Sequence, residues 1–440
     1  MKSLVMVTLL VTFGFAQRAS SAHYQPSVGA ARVADALDTA AAQDPPTAPQ
    51  RVEWSEAQLA KLRSHSPLGA PPPSPTNRYA DDPHAAELGQ RLFFDKRLSS
   101  NGEIACASCH DPALGFADGE QVFDGLAVGT RHSPSLWNVA YQRWFFWDGR
   151  ADSLWAQAVQ PFESALEMGG DRAALAHLVA NDAKLRAAYE RVFGSLLDTA
   201  HLPAHAKPVA DDATHAANVA WLALDEIERR ALNRFIANVG KSFEAYERKL
   251  VRRVAPFDRF VAGDASALDL SAQRGAQLFI GRANCRSCHG GPNFSDGEFH
   301  NIGVPPLDAD AAQDAARYAG IQRVLADPFN AASEYSDART GEHVLHLETL
   351  RLTPQSFGEF RVPSLRNVAL APPYMHQGQY ATLDLVLRYY STLEGATRVG
   401  HHQELTLKPL DLTEQERADL HAFLEALTGA PPEAKWLAPL

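Results

Sequence analysis

The four cysteines of the chain fall in two strings of one pattern, CASCH at 106–110 and CRSCH at 285–289. Two thiols at that spacing can add across the two vinyl groups of a porphyrin from a single turn of chain. The histidine that follows then faces the iron as its proximal ligand. A redox C-x-x-C pair or a four-thiolate zinc site would use the same cysteine spacing, but neither needs a histidine directly after each pair. The expectation is therefore two covalently bound c-type haems. Cys106, Cys109 and His110 would hold one and Cys285, Cys288 and His289 the other, with His110 and His289 as iron ligands.

The repetition reaches beyond these strings. SPSLWNVAYQRWFFWDGRADSL at 133–154 aligns without a gap on VPSLRNVALAPPYMHQGQYATL at 362–383, an offset of 229, whereas the two histidines are 179 apart. The second copy thus carries about 50 extra residues after its haem string, expected to be polar loops around 306–345.

A duplicated unit discloses its chemistry where its copies differ. Continuing the 229 offset pairs Pro161 with Tyr390. A haem already held by one histidine becomes a sealed electron carrier with a second strong ligand, and keeps a substrate site without one. Proline has no donor atom, whereas a tyrosine phenolate is a ligand that favours oxidised iron. Tyr390 reads equally as a core aromatic beside Tyr389, and Met375 is a competing thioether ligand nearby. In LWAQAVQPFESALEM, Gln157 and Pro161 are four apart on one helix face, and Glu167 follows the break. A carboxylate there could move a proton between the two oxygens of a bound peroxide; its bland reading is a solvated acid at a helix end. Trp147 pairs with His376 and is either an oxidisable relay between two haems or a structural core residue.

The elements that must position these groups read as helices. Leu232, Phe235, Ile236, Val239, Phe243, Tyr246 and Leu250 recur at three and four, the stripe of one long amphipathic helix, with Pro256 as its stop. The last helix opens on a capping box, Thr413 with Glu416, and stops at Gly429. Period-two alternation is scarce. The fold class expected is all-α, with two tandem cytochrome c-like helical domains at 78–255 and 256–440. A proline-rich lead-in at 23–77, interrupted by the helical piece WSEAQLAKLRSHS, would strap over the surface.

Residues 1–22 read as a cleavable signal peptide: Lys2, an apolar run of about 13 residues, then small residues. Its removal takes the formal charge from −11 to −13. That implies export, a periplasmic location, no membrane span and no nucleic-acid partner.

LGQRLFFDKRLSSNGEIACASCH, FFWDGRADSL, LEMGG, GRANCRSCHGGPNFSDGEFHNIG, VPSLRNVA and YMHQGQYATL together resemble the bacterial di-haem cytochrome c peroxidase and MauG family, from about Leu68 onward. The resemblance implies a peroxide-binding N-terminal haem, an electron-transferring C-terminal haem and a tryptophan, here Trp147, between them. Within the family, Tyr390 with Gln157, Pro161 and Glu167 is similar to the branch of MauG and MbnH. That branch uses peroxide to oxidise aromatic residues of a separate protein. Conventional peroxidases of the family carry Met where Tyr390 stands, and a switchable His where Asp124 stands. The resemblance also implies calcium between the haems, bound in part by an Asn; His132, in RHSP at 131–134, replaces it and reads as a surface-loop histidine.

The function expected is thus a di-haem peroxidase acting on hydrogen peroxide. Its partner would be a small redox protein, cytochrome c or a cupredoxin, or a dedicated protein substrate. A conventional cytochrome c peroxidase and a non-enzymatic di-haem electron carrier are the alternatives.

Overall fold

The computed structural model describes residues 52–210, 212–310, 312–397 and 407–440. The expected signal peptide and the start of the lead-in lie outside them. Helices dominate. Among the described residues the strands are one two-residue antiparallel pair, Phe299–His300 with Phe360–Arg361. No described helix is long and apolar enough to cross a membrane.

Each copy of the repeat is built around a crossed helix pair. In the first, Pro83–Phe93 packs on the long helix Glu226–Glu247; in the second, Leu270–Ile280 packs on Glu414–Glu425. Both crossings depend on a glycine. A Cβ on Gly89 would run into the Ser242 carbonyl, and one on Gly275 into the Asp419 carbonyl. Around the first pair gathers a large core that includes Trp155, Phe235 and Tyr246. A separate core around the second includes Phe257, Phe279, Phe294 and Phe423.

Several sequence expectations need revision at their edges. The long helix ends at Glu247, and Leu250 lies past it though still buried. Pro256 does not stop that helix but opens the next, Pro256–Val261, where its missing N–H costs nothing. The last helix has the expected Thr413–Glu416 capping box but ends at Glu425, short of Gly429. The extra residues of the second copy are more than loops, since they contain the helices Arg317–Ala326 and Glu342–Glu348. Nor does the lead-in only skim the surface: helix Glu56–Arg63 puts Leu62, 2% exposed, into the second core. Farther on, Thr76 accepts a hydrogen bond from the Trp155 indole of the first core.

The 229-residue register holds in the backbone itself. Asn138 and Asn367 both take a left-handed conformation (φ 60° and 63°), as do Phe146 and Met375 (φ 64° and 74°). Isolated bridges join Phe145 to Ala151 and Tyr374 to Tyr380. Ser153 caps helix Leu154–Glu163, and Thr382 caps helix Leu383–Thr392. The alignment made from side-chain identities is therefore also an alignment of local geometry.

Candidate functional site

In both haem strings the histidine is turned the same way. His110 Nδ1 donates to the Phe116 carbonyl at 3.0 Å, and His289 Nδ1 to the Phe294 carbonyl at 3.1 Å. The acceptor loop is one residue shorter in the second string, yet Phe116 and Phe294 reach the same left-handed backbone (φ 57° and 51°). A carbonyl accepts only, so Nδ1 carries the proton and Nε2 is left with its lone pair, the form that binds a metal. Burial lowers the pKa of both rings, which keeps them neutral. Burial pushes the thiols of Cys106, Cys109 and Cys285 the other way. Burial, helped by nearby acids, raises Cys109 to about 11.

One cleft gathers the first copy's candidates. Its lining includes Cys106, Cys109 and His110 together with Gln157, Pro161 and Glu167. Gln157 and Pro161 come from helix Leu154–Glu163, which also contains Gln160. Glu167 is carried by the turn that follows, pinned by bonds from Leu126 N and Ala127 N to the carbonyls of Glu167 and Leu166. Burial raises the Glu167 pKa, opposed by the charge of Arg150 and a bond from Ser164. This is a half-buried acid rather than a fully solvated one. Arg150 is itself held by Asp148 and by Gln160 Oε1 at 3.1 Å, while Gln160 Nε2 donates to Asp327 at 2.9 Å.

The same cleft holds a residue that the sequence reading passed over. Glu247 lines it, is buried, and has one carboxylate oxygen without a hydrogen-bond partner. Burial pushes its pKa well above the usual carboxylate range. The signal was available: Glu247 is four residues after Phe243, on the stripe that faces the core.

In the second copy, Tyr389 and Tyr390 divide their roles. The Tyr389 hydroxyl donates to the Ile302 carbonyl at 2.6 Å. Burial, then charge interaction with Cys285, Tyr389 and Cys288, pushes the Tyr390 phenol up. Met375 instead sits at the tip of a turn, the geometric counterpart of Phe146.

Between the two copies the chain exchanges hydrogen bonds reciprocally. His132 N donates to the His376 carbonyl at 2.8 Å, and Arg361 N to the Trp147 carbonyl at 2.9 Å. His132 with Arg361, and Trp147 with His376, are each 229 apart. The Trp147 indole N–H donates to the His132 carbonyl at 2.9 Å. The ring of His376 stacks on Phe360, 3.7 Å between centroids.

The surface-loop reading of His132 is therefore wrong. The residue is 4% exposed, and its Nδ1 bonds the Glu120 carbonyl at 2.8 Å. Calcium takes oxygen ligands, and this side chain offers none, so position 132 does not fit the calcium ligand implied there. Arg361, also 4% exposed, has the carbonyls of Phe146 and Val362 as its side-chain partners among the described residues. Burial alone lowers its pKa to about 10.

The chain is similar to known proteins over most of its length. Residues 83–266 match the family described as di-haem cytochrome c peroxidase. A cytochrome-c peroxidase IdrP1 of Denitromonas iodatirespirans is 35% identical over 83% of this chain and 87% of its own. A methylamine utilization protein MauG of Methylorubrum extorquens is 32% identical over 79% of each chain. Among solved structures, a MauG-like protein associated with microbial copper homeostasis superposes with a TM-score of 0.58 at 27% identity, over 84% of this chain and 96% of that one. The diheme peroxidase BthA of Burkholderia thailandensis gives 0.59 at 25% identity, over 80% and 89%.

Proposed function

Because this chain belongs to the di-haem cytochrome c peroxidase family, and so is a haem-dependent oxidoreductase, we propose that its first copy is the peroxidatic half and its second the electron-transfer half. The halves would be domains 78–255 and 256–440, in a protein exported to the periplasm by residues 1–22. The observation that carries this reading is the contrast at one register position. Pro161 shares a cleft with Gln157 and Glu167, whereas Tyr390 lies within electrostatic range of Cys285 and Cys288.

Cys106 and Cys109 would attach one haem covalently, and Cys285 and Cys288 the other, with the free Nε2 of His110 and of His289 turned to each iron. When bound, a haem with an open position supplies an electrophilic iron for hydrogen peroxide and accepts the oxidising equivalents that cleavage of the O–O bond releases. Pro161 leaves that position unoccupied. Glu167 takes the proton from the inner peroxide oxygen and delivers it to the outer one, so that water leaves, and Gln157 orients the peroxide by hydrogen bonding. An acid with a raised pKa suits this double role, because it holds and yields a proton nearer neutrality. Trp147 is the relay between the halves, its indole fixed by the His132 carbonyl. Tyr390, whose phenol burial keeps neutral, would hold the second haem by giving up its proton on binding the iron. Arg361 fits the cofactor as well: a buried guanidinium without a carboxylate partner among the described residues calls for an anion, and each haem brings two propionates.

The final reductant in this reading is an aromatic residue of a partner protein or a small redox protein. A second reading, conventional peroxide removal with cytochrome c or a cupredoxin as donor, is favoured by the 35% identity to a protein named cytochrome-c peroxidase. The two part on one measurement. Stoichiometric peroxide added to the fully oxidised protein changes the absorption of both haems in the MauG-like reading. A protein inert to peroxide until reduced by one electron belongs to the conventional one.

A further inference from the structure

In both copies one carbonyl takes two bonds beside the haem string. Phe116 accepts from His110 Nδ1 and Leu136 N, and Phe294 from His289 Nδ1 and Leu365 N. Leu136 and Leu365 are 229 apart, so this acceptor is a shared feature of the repeat. Each time it belongs to a phenylalanine at positive φ (57° and 51°), a conformation that a bulky residue keeps only where its surroundings enforce it.

The two copies enforce it differently. In the first, Trp137 stands edge-on to Phe116, with ring centres 4.8 Å apart. The residue 229 positions on is Arg366, which has no ring. Arg366 is buried and donates to the Pro292 carbonyl, to both carboxylate oxygens of Asp258 and, at 3.0 Å, to the carbonyl of His65. His65 comes from the lead-in, two residues past helix Glu56–Arg63, and is itself buried. Its ring centre lies 4.9 Å from that of Phe294. Its Nδ1 is 2.9 Å from the Lys61 carbonyl, and the next residue, Ser66, donates to Asp258 at 2.7 Å. Burial lowers the pKa of the ring, opposed by the backbone of Lys61 and of His289, so the ring is within reach of the haem string as well as of its acceptor. The other rings around Phe294, those of Phe257, Phe279 and Phe423, belong to the second copy itself.

We propose that His65 is a positioning residue of the second haem: through it the lead-in supplies the ring that holds Phe294, and so the acceptor of His289, where the first copy uses its own Trp137. This rests on the reading that His289 and Tyr390 hold a low-spin haem. An imidazole that donates firmly from Nδ1 is more basic at Nε2 and favours oxidised iron. Without the His65 ring, Phe294 is free to leave its left-handed conformation and its carbonyl to draw away from Nδ1, and the second haem becomes easier to reduce. A part of the second site thus lies outside both repeats.

The test is spectroelectrochemical titration of the full two-haem protein, following the low-spin and the high-spin haem by their separate absorption bands. His65→Ala should raise the potential of the low-spin haem, changing its oxidised-to-reduced ratio at a fixed potential by about tenfold, the lower end of what loss of such a partner costs, and leave the high-spin haem where it was. His65→Phe, which restores a ring, should return the low-spin haem to the parent value. Ser66→Ala, which loosens the lead-in without taking a ring from Phe294, should move neither. If His65→Ala does not retain its second haem, His65→Gln, ringless but able to bond the Lys61 carbonyl, takes its place with the same expectation. An unmoved low-spin haem in the ringless variant, an equal shift of both haems, as large a shift in Ser66→Ala, or no recovery in His65→Phe each overturns the proposal. A parent protein without a low-spin haem fails at the haem reading and takes the proposal with it.

Discussion

Helices Leu154–Glu163 and Leu383–Thr392 have the same length, the same kind of cap and the same place in their repeats, but almost no chemistry in common. The first presents Gln157 and Pro161 to a cleft and anchors Gln160 on Arg150 and Asp327. The second has Val386 and Tyr390 at the corresponding positions, and Tyr389, where the first has Gln160, bonded to Ile302. Up to the helix ends the difference lies in side chains on a scaffold shared to the level of individual left-handed residues; just past them the backbones part, Ser164 being extended and Leu393 left-handed. A repeat of this kind separates the part of a sequence that makes a fold from the part that makes a site.

The comparison breaks most visibly at Glu167, whose counterpart is Ala396. Glu167→Gln should slow the reaction with peroxide about 100- to 10,000-fold in stopped-flow mixing, the range for losing a general acid–base. Because burial raises the Glu167 pKa, the parent's rate should rise with pH through a limb above the ordinary carboxylate range, and this limb should vanish in the variant. An unchanged rate would return Glu167 to a structural role.

At Pro161 and Tyr390 the contrast is between open and closed. Tyr390→Phe should convert one six-coordinate low-spin haem to high spin in the resonance Raman spectrum, whereas Tyr389→Phe and Met375→Leu should leave it as it was. A conversion by Met375→Leu would move the ligand to the thioether.

The shared part of the comparison has its own test. Gly89→Ala and Gly275→Ala put a methyl group into equivalent helix crossings and should each cost about 1–3 kcal/mol in denaturant unfolding. A large cost at one and none at the other would show that the crossings are not equivalent. Trp147→Phe, which keeps a ring but is harder to oxidise, should confine the peroxide-induced spectral change to one haem and shorten its life by about tenfold, roughly 1.4 kcal/mol.

The smallest effect concerns Asp152, where the second copy has Ala381. Burial raises the Asp152 pKa to about 7, with Asp327 nearby, itself raised to about 6. The folded protein then keeps a proton that the unfolded chain releases. The stability this group contributes is complete below the ordinary carboxylate pKa and is lost as pH rises through 7, by at most about 1.4 kcal/mol per pH unit. Asp152→Asn should flatten the fall in thermal midpoint between pH 5 and pH 8, and an identical slope would rule this proton out.

Much of this was legible in the sequence, because it is local. The haem strings, the capping box at Thr413 and the stripe of the long helix depend on neighbours within a turn or two. So did the 229 register, since each copy repeats the same local constraints at Asn138 and Asn367. The roles of His132, Arg361 and Asp152 were not legible. Each is set by a partner far along the chain: His376 for the first, Trp147 for the second, the Ala331 amide for the third. A histidine between Arg131 and Ser133 has the composition of a loop, and only the second copy, folded against it, makes it interior. Helix Arg317–Ala326 escaped for another reason: its starting residue, Ala316, has no capping side chain, so the usual signal for a helix start is missing.

The reciprocal bonds from His132 to His376 and from Arg361 to Trp147 have an evolutionary consequence. A symmetric dimer of a single such unit would make the same two contacts, but one gene would then write both sides of the junction, and any residue chosen for one would be imposed on the other. Carrying both units in one chain releases that constraint. Tryptophan can occupy one side and histidine its mirror position, and an imidazole can stand where the mirror position has a guanidinium. Fusion thus lets the centre of the molecule be directional, a property that symmetry would forbid.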